Sequence, residues 1–131
     1  QAQILNLIDE LQDKLGMALL LITHDLGVVA EQADEVAVMY AGRIVERAVP
    51  EIIFARPMHP YTIGLMNSLP AIGVKRDRLE AIPGVVPSPL NWPTGCRFRD
   101  RCNRAEEACA TSQPELIAVE PGHWVSCLQV S

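Results

Sequence analysis

Four cysteines, Cys96, Cys102, Cys109 and Cys127, stand at a C-x5-C-x6-C-x17-C spacing in the last third of the sequence, and the chain has no others. Thiols gathered in a proline-rich, loop-forming stretch constrain its fold more than any apolar pattern there. Either they converge on one metal centre or they are four unrelated buried thiols. Convergence fits better, because a segment with little core of its own takes its order from ligation. Spacing alone does not name the metal: zinc sites commonly carry C-x2-4-C pairs, absent here, whereas iron–sulfur sites accept varied spacing. Arg97, Arg99, Arg101 and Arg104 crowd around the first two cysteines, and guanidinium groups offset the charge of a tetrathiolate centre of either kind. Stable disulfides are the weaker expectation. The N-terminus has no basic region with a small-residue cleavage site, and no apolar run approaches the roughly 20 residues of a membrane span, so the chain reads as neither secreted nor embedded.

The first half follows a different pattern. Ile4, Leu7, Ile8, Leu11 and Leu15 recur at helical spacing and Gly16 closes the run, which predicts a helix over 2–15 with one buried stripe. Ala18 to Thr23 is apolar without alternation, the signature of a strand covered on both faces in a parallel sheet. Other strands of that sheet would lie outside this sequence, and the fold class is α/β. Thr23-His24-Asp25 is a polar turn, with Asp25 placed to cap a helix from Leu26 to about Ala33. His24 then sits just past a strand's C-terminal end, where open α/β sheets place ligands. A lone turn histidine more often serves structure, and its near-neutral pKa suits either role.

Glu35 to Tyr40 predicts a second strand, joined through Ala41-Gly42 to Arg43–Glu46 as a tight antiparallel hairpin. Helical patterns at Pro50–Ala55 and Tyr61–Ser68 flank Arg56-Pro57-Met58-His59-Pro60, whose prolines fit helix starts or breaks. His59 reads as a structural residue at an X-Pro boundary. From Pro70 to Pro93 the prolines and glycines predict an extended connector, with Lys75, Arg76 and Arg78 as a solvated face.

A formal charge of -5 and 5% aromatic residues argue against a nucleic-acid partner. Gln1 is not an initiator and already lies in a helical pattern, so the sequence reads as a piece of something longer. It contains no G-x-x-x-x-G-K-[ST] loop of the kind that cradles phosphates, and no acidic residue closes an apolar strand as a metal-binding and base-positioning pair requires.

The strand ending in Thr23-His24-Asp25, the short helix and the pair reading Val38-Met39-Tyr40-Ala41-Gly42-Arg43-Ile44-Val45-Glu46 together resemble the C-terminal end of an ABC transporter ATPase domain, a P-loop NTPase. His59-Pro60-Tyr61 resembles the start of the C-terminal extension in the oligopeptide and dipeptide branch of ABC importers, a branch that includes nickel importers. The text from Gly95-Cys96 to Trp124-Val125-Ser126-Cys127 resembles the four-cysteine tail of the same branch. This resemblance implies residues 1–49 as the end of the ATPase domain and 50–131 as a small, loop-rich, cysteine-ligated extension. It implies that His24 contacts the ATP γ-phosphate as the switch histidine, with Mg present in the full-length subunit. It also implies a [4Fe-4S] cluster, rather than zinc, on Cys96, Cys102, Cys109 and Cys127. Permease subunits and a second ATPase subunit are the implied partners, at the cytoplasmic side of the inner membrane and peripheral to it. A chain of these residues alone is expected to lack ATPase activity and to self-associate. The competing class is a free-standing metal-binding interaction module with no nucleotide role. An upstream phosphate-binding loop and a Leu-Ser-Gly-Gly-Gln-like signature would separate the two.

Overall fold

The computed structural model describes residues 2–70 and 80–130; Lys75, Arg76 and Arg78 lie outside the described residues. Helix α1 spans Ala2–Leu15. Gly16 ends it at φ +63°, its N–H donating to Gln12 O at 2.9 Å, a backbone state that glycine enters without steric cost. The apolar stripe of α1 is not buried: Ile4, Leu7, Leu11 and Leu15 all face solvent. The expected strand over Ala18–Thr23 does not form either. Residues 17–23 are irregular, with Leu20 87% and Ile22 90% exposed. The physical reason is that a strand needs neighbours for its N–H and C=O groups, and among the described residues no strand pairs with this run. The parallel α/β sheet is thus replaced by a mixed arrangement of helices around one antiparallel sheet.

Helix α2, Leu26–Gln32, starts as its sequence dictates: Asp25 Oδ1 accepts from Gly27 N at 3.0 Å and Val28 N at 3.3 Å. Strands β1, Val36–Tyr40, and β2, Arg43–Ala48, form the expected hairpin. Its two turn residues both take positive φ, Ala41 at 48° and Gly42 at 78°, as a two-residue turn matched to strand twist requires. Val38 pairs with Glu46 and Met39 with Ile44, leaving Val45 as an extra residue on β2. This bulge turns Val45 and Glu46 inward together.

Helices α3, Pro50–Ala55, and α4, Pro60–Asn67, each begin on a proline, whose missing N–H costs nothing in a first turn. Residues 80–93 hold no regular element. The tail adds a 3-10 turn at Arg99–Arg101, a short helix α5 at Ala108–Thr111, and strands β3, Ile117–Glu120, and β4, His123–Val125. The sheet order is β1-β2-β4-β3, antiparallel throughout. The tail's last strand therefore lies against the hairpin. Val38, Tyr40, Val45, Ala48, Ile53 and Phe98 make the core. Within it the rings of Tyr40, Tyr61 and Phe98 meet at centroid distances of 4.7, 5.0 and 5.6 Å. Few as the aromatics are, these three fasten hairpin, α4 and cysteine loop to one another.

Candidate functional site

All four cysteines line a single cavity, together with His59, Phe98, Arg99 and Arg104. None is in a disulfide; Cys109 is buried and the others half-buried. Local hydrogen bonds bring them there. Cys96 N donates to Cys109 O at 2.8 Å, Cys102 N to Arg99 O at 3.2 Å, and Arg104 N to Cys102 Sγ at 3.4 Å. Burial pushes the Cys96 and Cys102 thiols up from their ordinary range; a backbone N–H on each sulfur opposes this, and the neighbouring thiols add to the rise. Left alone they stay protonated, and a bound metal would deprotonate them. Among the described residues, however, no group of three or more His, Cys, Asp or Glu stands as a ready-made site for a metal ion. Where the sequence predicts a ligated extension, the described residues show four thiols lining one cavity.

Only two of the four arginines face the thiols. Arg97 Nη1 donates to Ala41 O at 2.6 Å while its guanidinium covers Trp92 at 4.2 Å. Arg101 donates to Pro83 O and Ile82 O. These two fasten the cysteine loop to hairpin and connector, whereas Arg99 and Arg104 remain at the cavity.

Gly95 shapes the approach. At φ +69°, a Cβ placed there would overlap Cys109 O and come within 2.7 Å of Ala110 C. Gly95→Ala should therefore part the Cys96 and Cys109 loops. The left-handed backbone alone costs about 1–2 kcal/mol in a residue with a side chain, and the overlap adds to it. Urea denaturation beside wild type measures the loss, and an unchanged midpoint would refute it.

Above the cavity lies a buried polar network that the sequence did not announce. Glu46, 0% exposed, accepts from Met58 N at 2.8 Å and His59 N at 2.9 Å, and Oε1 stands 2.7 Å from His123 Nε2. His123 is also 0% exposed. Its Nδ1 has no hydrogen-bond partner among the described residues, the nearest carboxylate being Glu120 at 3.9 Å. One side chain of β2 thus binds the elbow between α3 and α4 and strand β4. His59 extends the network: its Nδ1 accepts from Tyr61 N at 3.0 Å, capping α4. Burial lowers its pKa to about 4, against the pull of Glu46 and aided by Arg104, so the ring is neutral near pH 7. The only signal for Glu46 is a carboxylate next to Ile44-Val45 on a strand that also carries Arg43 and Arg47, and for His59 its place before a proline.

His24 lies apart from all of this, exposed in a bend between residues 17–23 and α2. Thr23 Oγ1 accepts from Asp25 N at 3.0 Å on one side, and Asp25 caps α2 on the other. The imidazole is held at a defined turn and turned outward.

Residues 45–109 match the family described as the oligopeptide/dipeptide transporter, C-terminal region. The match begins in β2, takes in His59-Pro60-Tyr61 and ends on Cys109, so Cys127 lies beyond it. Across 97% of the chain, 127 residues are 50% identical to the oligopeptide transport ATP-binding protein AppD of Bacillus subtilis. Across 97%, 128 residues are 52% identical to a probable peptide ABC transporter ATP-binding protein of Sinorhizobium fredii. Across 98% of the chain, an alignment 135 positions long is 48% identical to a putative peptide import ATP-binding protein of Brucella ovis. The chain covers 39%, 38% and 40% of the lengths of these relatives, respectively.

Proposed function

We propose that this chain is the C-terminal part of the ATP-binding subunit of an ABC importer for oligopeptides or dipeptides, coupling ATP hydrolysis to peptide uptake. What carries the reading is 50% identity along nearly the whole chain to an oligopeptide transport ATP-binding protein. Relatives named for peptides favour peptide over nickel as the solute, and favour this reading over a free-standing metal-binding module. Residues 1–49 are then the end of a P-loop ATPase domain and 50–131 its extension. His24 donates to the γ-phosphate of ATP bound with Mg by the upstream part of the subunit. The partners are permease subunits and a second ATPase subunit, at the cytoplasmic face of the membrane. No helix among the described residues is long and apolar enough to cross a membrane. The reading frame upstream of Gln1 tests this directly. A phosphate-binding loop and a Leu-Ser-Gly-Gly-Gln-like signature are expected there, and a frame with neither would end the proposal.

The apolar face of α1 and the run from Met17 to Ile22, both exposed, belong in this reading against the rest of the ATPase domain. Residues 1–131 expressed alone should therefore self-associate. Light scattering from a strictly monomeric species would count against it.

For the thiol cavity the proposal is one [4Fe-4S] cluster held by Cys96, Cys102, Cys109 and Cys127. The donor set fits: four cysteines and no competing carboxylate among the cavity's lining residues. A cube of iron and sulfide also accepts thiolates spread more widely than one zinc ion does. When bound, the cluster cross-links the loops carrying the four residues, which is a structural rather than a redox service. Anaerobically purified protein should be brown, with iron and sulfide near about four each per chain, and any Cys→Ser change should bleach it. A colourless preparation with one zinc would keep the ligands and overturn the cluster. Ser126 N donates to Val45 O at 2.9 Å, so loss at Cys127 should also loosen the outer edge of β2.

A further inference from the structure

A histidine nitrogen that accepts a hydrogen bond carries no proton, so the cap that His59 Nδ1 makes with Tyr61 N at 3.0 Å places the ring's N–H on Nε2. The residue is 1% exposed and lines the cysteine cavity. Among the described residues no protein acceptor meets Nε2. The residue is held by the cap on its Nδ1, by its backbone N–H, which donates to Glu46 Oε2 at 2.9 Å, and by the ring of Phe98 at 5.7 Å between centroids. Phe98 itself belongs to the loop between Cys96 and Cys102. With no protein acceptor on it, the Nε2–H is free to donate to a sulfur acceptor in the cavity that His59 lines.

We propose that His59 is a positioning residue of the thiol centre, its Nε2–H donating a hydrogen bond to a sulfur atom of the group bound by the four cysteines. This rests on the cluster reading above. Such a bond draws electron density from sulfur and stabilises the more reduced cluster, as hydrogen bonds to ligand sulfurs do generally. It also makes the elbow between α3 and α4 a sensor of cluster occupancy, because the same residue starts α4.

His59→Asn separates the two roles. Asparagine is among the best N-caps, so α4 keeps its start, while no ring nitrogen reaches the cavity. In the full-length subunit, purified anaerobically and reduced with dithionite, iron and sulfide are assayed first. The midpoint potential and the pulsed-EPR nitrogen couplings of the cluster are then compared with wild type. Expected are unchanged iron and sulfide, a lower midpoint in the variant, and a weak nitrogen coupling in wild type that the variant lacks. An iron-loaded wild type without that coupling would overturn the donor role alone, even if the variant failed to fold. Equal midpoints in two equally loaded proteins would do the same. An iron-free wild type would overturn the cluster reading and the donor with it.

Discussion

Glu46→Ala should lower the stability of the chain by about 3–5 kcal/mol, because three donors around one buried acceptor lose their partner together. The carboxylate is wholly buried and accepts from two backbone amides of the elbow and from His123 across the sheet. Alanine leaves all three donors in place without acceptors, and each buried orphan costs about 1–3 kcal/mol. Glu46→Gln, which keeps one carbonyl oxygen and the volume, should lose less. Because His123 lies on β4 and Met58 on the elbow, the damage should also be spatially specific. Hydrogen exchange should accelerate in β4 and at the start of α4 while α1 is unaffected. Denaturant unfolding within about 0.5 kcal/mol of wild type, the scatter of ordinary surface substitutions, would show the network to be incidental.

His24→Ala in the full-length subunit should cut ATP turnover by about 10²–10³-fold, the loss seen when one preorganised donor to developing charge is removed. Affinity for a non-hydrolysable ATP analogue should barely change, because a contact that strengthens only as charge develops contributes to the transition state and not to ground-state binding. The local structure favours this division. The turn is fixed by the Thr23–Asp25 bond and the cap on α2, and the exposed imidazole takes no part in either. Removing it should therefore leave the turn intact. Unchanged phosphate release would make His24 an ordinary turn residue.

Local chemistry made much of this fold legible from residue order. The Asp25 cap, the Ala41-Gly42 hairpin and the proline-led α3 and α4 follow from side-chain donors, allowed φ and missing N–H groups, each acting within a few residues. That Cys96, Cys102 and Cys109 line one cavity was legible for the same reason, since only short loops separate them, whereas Cys127 is brought in by the pairing of β4. What failed depended on partners. Ala18–Thr23 has the composition of a buried strand but, among the described residues, no strand beside it. The inward turn of Glu46 follows from a one-residue bulge, which no alternation pattern records. Strands β3 and β4 are too short, at four and three residues, for a period of two to stand out.

The sheet order has a consequence for the way the chain acquires its shape. The β1–β2 hairpin is local and can close within microseconds. Its outer edge is completed only by β4, whose His123 lies 77 positions beyond Glu46. Closing so long a loop carries an entropic penalty that local pairing avoids, and sheets built from distant segments form slowly. On the ribosome, β2 must therefore wait with one row of amides and carbonyls bare until the tail emerges. During that interval it is a template for any other unpaired strand. Until β4 arrives, that exposed edge is the segment through which newly made chain is most open to aggregation.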